Sequence, residues 1–156
     1  GSVCDELTTT MDLLPTFAQL AGGEPPHERI LDGHDIRPLI LGDPTAETPY
    51  KAFFYYQGEQ LQAVRSGPWK LFLPLMKFRR HPHFREGAAA SPLLFNVVDD
   101  IASSRNVAEE RPEVVRRLMS LAEMARLDLG DQGRPGKNQR PPGKIESRPD
   151  GRSDRR

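Results

Sequence analysis

Cysteine is nearly absent from this chain of 156 residues: Cys4 is the only one. A lone thiol excludes an internal disulfide framework and leaves the compartment undetermined. Long hydrophobic runs are missing as well. No stretch approaches the roughly 18 consecutive apolar residues that a membrane-spanning helix needs, and no charged segment leading into a short apolar core marks a signal peptide. Charge of one sign does not dominate either, since 22 Lys and Arg balance 22 Asp and Glu. Hydrophobic residues are scarce at 37%, while prolines number 15 and glycines 13, which predicts a foldable body with a polar appendage.

That appendage is residues 131–156, in which Ile145 is the only aliphatic residue. Such a segment buries too little apolar surface to offset its ordering entropy and reads as a disordered basic tail. Its basic residues are spaced apart with no aromatic between them for base stacking, so no nucleic-acid partner is expected.

Apolar periodicity supplies the elements. Leu13, Leu14, Phe17, Leu20 and Ala21 recur at spacings of three and four, predicting a helix over 10–21 with Thr10 as its cap and Asp12 at the positive end of its dipole. Five prolines and short apolar islands make 24–50 a long loop with one helical turn at 36–41. Residues 50–56, 61–65, 69–73 and 93–98 then read as strands, with Ser66-Gly67-Pro68 turning the second into the third. Asp32-Gly33 reads as a turn in which Gly33 supplies a permissive dihedral. Pro112 opens a last helix, to about Leu127, with Val114, Val115, Leu118, Leu121, Ala122 and Ala125 on one stripe. The sum is an α+β unit: an N-terminal helix, then a small antiparallel four-stranded sheet packed on a C-terminal helix.

Four segments carry a family resemblance. Thr10-Met11-Asp12-Leu13-Leu14-Pro15-Thr16-Phe17, closing on Leu20-Ala21-Gly22, resembles the D-x-x-P-T-x-x-x-L-A-G helix of sulfatases. Asp32-Gly33-His34-Asp35-Ile36-Arg37-Pro38-Leu39-Ile40 resembles their D-G-x-S-L-x-P-L-L segment, and Ala63-Val64-Arg65-Ser66-Gly67-Pro68-Trp69-Lys70-Leu71 their A-V-R-x-G-x-W-K-L hairpin. Leu94-Phe95-Asn96-Val97 with Asp100 and Asn106 resembles L-Y-D-L-x-x-D-P-x-E-x-x-N-L, leading to a P-E helix at Pro112-Glu113. His34-Asp35, Asn96, Ile101 and Ser103 depart from the pattern. On this resemblance the chain is the C-terminal portion of an arylsulfatase-like member of the alkaline phosphatase superfamily. Residues 1–49 would end the large catalytic α/β domain, and 50–130 would form the antiparallel sheet-plus-helix subdomain.

The resemblance implies a sulfuric ester hydrolase whose nucleophile is a formylglycine made from the Cys or Ser of a C/S-x-P-x-R motif. It also implies a calcium or magnesium ion that stabilises charge developing on the sulfuryl oxygens. Neither has its residues here. Cys4 is followed by Asp5-Glu6-Leu7, Ser66 and Ser91 fail the same motif, and Asp99-Asp100 falls in a connector that the family uses structurally. No catalytic or metal-ligating residue is therefore assigned, and the chain alone is expected to be inactive. The candidate substrate-binding residues are His81 and His83, in a basic loop with Arg79, Arg80 and Arg85 that suits a sulfated small molecule or glycan. An exposed basic loop without a contact role is the other reading. Arg65 and Lys70 are expected to pair with carboxylates across the sheet or at a domain junction, contact with the sulfate being the other reading, and Trp69 is expected to lie in the core. A related phosphatase or phosphodiesterase, or a non-catalytic interaction module, stays open beside the sulfatase reading. The resemblance implies a periplasmic, secreted or lysosomal setting and leaves the oligomeric state undefined.

Overall fold

The computed structural model describes residues 3–75 and 91–140. The first helical turn begins at Thr10, the start of the predicted range, but its cap is Thr9 rather than Thr10. Thr9, in extended conformation, accepts the Met11 N–H on its hydroxyl at 3.2 Å, and the Asp12 carboxylate reaches back to the Thr9 N–H at 2.7 Å. This reciprocal box satisfies donors that a helix start leaves unpaired. It caps a 3-10 turn, Thr10–Asp12, which runs directly into α1, Leu13–Leu20. Pro15 sits in the first turn of α1, where its missing N–H costs nothing. After the loop comes one short helix, α2, Arg37–Ile40, inside the predicted helical turn.

Four antiparallel strands follow in the spatial order of the chain: β1 Phe53–Gln57, β2 Gln60–Ser66, β3 Trp69–Phe72 and β4 Leu93–Asn96. Gly67, at φ +56°, makes the tight turn between β2 and β3, in a region that L side chains avoid. The register pairs Val64 with Leu71, and Leu71 with Leu94. Strand alternation puts these residues on one face, and α3, Pro112–Asp128, packs there through Leu118, Ala122 and Ala125. A shift in register between Tyr55 and Tyr56 interrupts the alternation in β2. The extra residue, Gln62, lets both Leu61 and Val64 point at α3, where each is fully buried. Trp69 lies half-buried at the margin of this core.

The expectation of a disordered tail from Asp131 onward does not hold for its first ten residues. Gly130–Asp131 (β5) and Arg134–Pro135 (β6) form a small hairpin. Beyond it, the Lys137 and Asn138 N–H groups donate to Leu127 and Asp128 carbonyls at 2.9 and 2.8 Å. The Asp131 carboxylate accepts from Arg126 Nε at 2.7 Å and from the Leu61 N–H at 3.0 Å. Composition misjudges this segment because apolar burial is not what orders it. Polar backbone satisfies the orphan carbonyls at the C-terminus of α3, while one partly buried ion pair ties the hairpin to α3 and the Leu61 N–H ties it to β2. Residues 141–156 lie outside the described residues.

Leu118 is the largest fully buried side chain of α3. Leu118→Ala should lower unfolding stability by about 2–5 kcal/mol, measured by urea denaturation followed through the single Trp69.

Candidate functional site

Two constellations stand out among the described residues, one polar and buried, the other cationic and aromatic. The polar one is built on α1. Asp12 and Thr16, four residues apart and so on one face, are both fully buried. The Asp12 carboxylate accepts the His34 N–H at 2.8 Å and the Tyr50 hydroxyl on one oxygen, and the Thr9 N–H on the other. Thr16 Oγ1 accepts the Ile36 N–H at 3.1 Å and donates to the His34 carbonyl at 3.4 Å. The inner face of α1 is thus polar, and it holds the 33–36 backbone by hydrogen bonds. Gly33 is required for proximity, since its φ is not in the left-handed region. A Cβ there would lie 2.0 Å from the Met11 carbonyl oxygen. The predicted turn role for Gly33 therefore gives way to a close-approach role.

Burial pulls the Asp12 carboxyl upward, but the bonds from Tyr50, His34 and Thr9 outweigh it, and the net shift is downward from the ordinary carboxylate value. The Tyr50 phenol moves the other way, pushed up to about 12 by burial and then by donation to Asp12. Asp12 therefore serves as a structural anchor whose ionised form is favoured, with both oxygens occupied by protein donors. It was read from sequence only as a dipole partner. The local signal available was an acidic residue four positions before Thr16 and facing away from the apolar stripe.

The second constellation lies on the sheet face away from α3. Phe53, Arg65, Lys70 and Phe95 are direct register partners in one row across β1 to β4. Lys70 Nζ sits 4.1 Å from the Tyr55 ring centre and 4.9 Å from that of Phe72. Desolvation, followed by the repulsion of Arg65, lowers its pKa. The expected carboxylate partners are not found: among the described residues no Asp or Glu lies in ion-pair range of Arg65 or Lys70. Arg65 Nε instead donates to the Gly67 carbonyl at 3.3 Å. A row of edge-to-face aromatic contacts runs from His34 through Tyr50 and Phe53 to Tyr55, bordering a cleft of about 570 Å³ beside β1.

A divalent cation does not fit these residues. Among the described residues no cluster of three His, Cys, Asp or Glu side chains could hold one. The more enclosed carboxylates, those of Asp12 and Asp131, are already taken up by N–H and O–H donors. Cys4 is exposed, with no described partner. Asp100 closes the connector after β4 by accepting the Ser104 and Arg105 N–H groups at 2.7 and 2.9 Å. Asn106 likewise accepts the Leu94 N–H at 2.9 Å, in keeping with a structural reading of that motif. His81 and His83 lie outside the described residues.

Asp12→Asn keeps the shape but turns an acceptor into a donor facing other donors, so it should cost about 3 kcal/mol of unfolding stability. Asp12 has a depressed folded pKa, so its contribution is present above the unfolded value near 3.9 and fades as pH falls below it. The Asn variant should accordingly show a shallower acid limb in a stability-versus-pH series. Tyr50, raised, contributes below about pH 10 and loses that contribution as pH climbs toward its folded value of about 12. Absorbance titration of the 3 tyrosines should show a phase near pH 12 that Tyr50→Phe abolishes.

Residues 48–144 match the family model for the C-terminal region of aryl-sulfatase. Human arylsulfatase D is 35% identical over 136 residues, a match that covers 72% of this chain and 21% of that protein. Mouse steryl-sulfatase is 43% identical over 76 residues, covering 46% of this chain and 12% of its own length. The chain therefore spans about a fifth or less of these relatives. Among solved structures, one from work on the metabolism of multiple glycosaminoglycans by Bacteroides thetaiotaomicron superposes with a TM-score of 0.54 at 24% identity, covering 73% of this chain and 24% of its own. The structure of Ps i-CgsB gives 0.53 at 23%, covering 76% and 24%. At such identity these two establish the fold alone. The ordered motifs, the capped α1 with its polar inner face, the four-stranded sheet on α3 and these matches together make the chain a member of the sulfatase family, corresponding to its C-terminal region.

Proposed function

We propose that this chain completes a sulfuric ester hydrolase, supplying the small sheet-and-helix subdomain and one wall of the substrate cleft rather than the bond-breaking groups. The observation that carries this reading is the inverted polarity of α1. Its inner face is held by Asp12 and Thr16, whereas Leu13, Leu14, Phe17 and Leu20 on the outer side are 41–57% exposed. A contiguous apolar stripe on a well-capped helix is a surface made to be covered. A preceding α/β domain of the kind implied by the sulfatase resemblance suits it. Residues 1–49 would then belong to that domain and 50–130 to the subdomain.

In this reading the formylglycine nucleophile and the calcium or magnesium ion belong to the preceding domain, and no step of the reaction is assigned to residues of this chain. The basic loop with His81 and His83 would approach the leaving group of a sulfated small molecule or glycan, where cationic and hydrogen-bonding side chains favour an anionic substrate. A secreted, lysosomal or periplasmic setting belongs to the same reading. Within the described residues no helix is long and apolar enough to cross a membrane.

The test joins this chain to its preceding domain and measures hydrolysis of 4-nitrophenyl sulfate and 4-nitrophenyl phosphate. Turnover of the sulfate in preference to the phosphate is expected, with no turnover by the 156-residue chain alone. Preference for the phosphate would move the protein to the phosphatase branch. Replacing His81 and His83 together by Ala should raise KM about tenfold, the loss expected for one charge-assisted contact. Unchanged kcat/KM would end the contact role for that loop.

A further inference from the structure

Two cations placed directly opposite each other on neighbouring strands repel, and a sheet normally avoids the arrangement. Arg65 and Lys70 are such a pair, and no carboxylate answers either of them among the described residues. Lys70 is half-buried, so its charge carries a desolvation penalty as well. The rings of Tyr55 and Phe72 offset part of that penalty through their negative faces, at 4.1 and 4.9 Å. Rings accept no hydrogen bond of carboxylate strength, however, and the ammonium has three N–H groups to satisfy.

The surroundings narrow the class of anion that would fit. Phe53 flanks Arg65 on β1, and Phe53 and Tyr55 stand edge to face with ring centres 4.9 Å apart. Both rings also border the cleft of about 570 Å³ along β1, whose other lining includes Tyr50 and the carboxylate residues Asp32 and Asp128. A bare inorganic anion would use the cations and ignore the rings. A sugar ring presents C–H faces that lie on aromatic rings and hydroxyls that carboxylates accept, and a sulfate ester on it presents oxygens to a guanidinium and an ammonium.

We infer that Arg65 and Lys70 form a seat for the sulfate group of a sulfated sugar, with Phe53 and Tyr55 as the platform for its ring. The seat requires no metal ion or nucleophile. It rests on the proposed sulfatase reading for the choice of sulfate over other oxyanions, and it binds a sulfate group without cleaving it. Its effect would be to select substrates that carry a further sulfate group besides the one hydrolysed.

The test is binding to the 156-residue chain, free of turnover, so that its outcome is independent of whether the joined enzyme hydrolyses a sulfate ester. Calorimetric titration with N-acetylglucosamine 6-sulfate should show binding that weakens with ionic strength. N-acetylglucosamine should bind at least tenfold more weakly. Lys70→Gln and Arg65→Gln should each weaken the sulfated sugar about tenfold, the loss of one charge-assisted hydrogen bond, while Lys70→Arg retains most of the affinity. Phe53→Ala should weaken the sulfated sugar but leave inorganic sulfate unaffected. Far-UV circular dichroism and the late Tyr50 titration check that each variant folds as the parent does. Equal binding of sulfated and unsulfated sugar, or Gln variants that bind like the parent, would overturn the seat. Inorganic sulfate binding as tightly as the sulfated sugar would overturn the platform.

Discussion

The ionised carboxylate of Asp12 is the constraint on which the N-terminal half of the structure depends. It is fully buried, and a buried charge is tolerated only where donors replace the water it gives up. Here the donors come from three separated places: the Thr9 N–H at the helix start, the His34 N–H in the loop, and the Tyr50 hydroxyl just before β1. One side chain therefore fixes the entry of α1, the path of 33–36 and the approach to the sheet. Thr16, one turn further on, repeats the arrangement at Ile36. Because these bonds occupy the inner face of α1, the apolar residues of that helix are turned outward.

The C-terminal half rests on different physics. Leu61, Val64, Leu71 and Leu94 from the sheet, with Leu73 just past β3, close on Leu118, Ala122 and Ala125 from α3. Each fully buried leucine contributes on the order of 2 kcal/mol by removal from water. The halves are joined by a polar contact as well as by the ring contacts from His34 through Tyr50 to Phe53. Arg140 Nη2 donates to Asp32 Oδ1 at 2.7 Å, bringing the segment that wraps the end of α3 back to the loop held by Asp12. An ion pair of this exposure is worth little by itself, and the chain returns there because the hairpin before it is tied down by the Arg126–Asp131 pair.

The sheet has two faces with unlike roles. One is an aliphatic core. The other carries rings and two cations, and the same alternation that places Leu71 inward places Lys70 outward. Ala63, Phe72 and Phe95 on that second face are themselves buried as a smaller apolar cluster, so the two cations stand on a partly buried face.

Much of this was legible in the residues themselves. Period-four apolar spacing marked α1 and α3, period-two spacing marked β3, and Gly67-Pro68 marked a hairpin, because these patterns record which side of a local element meets water. The ordered motifs were enough to recognise the sulfatase family. Composition could not tell that 131–140 is structured, since its order comes from backbone groups meeting the end of α3 and not from its own hydrophobicity. Periodicity could not tell that Asp12 is buried, nor that Gly33 is needed for the nearness of Met11, because those facts depend on residues about 20 to 40 positions away arriving at one point. Nor could it foresee that Arg65 and Lys70 would face each other with no carboxylate among the described residues in range of either, which is set by strand register. The sequence by itself determined the elements and the family, both written in local order. Only the tertiary structure decided the anchor, the ordered end of the described chain and the cationic face, because each is a meeting of groups that are distant along the backbone.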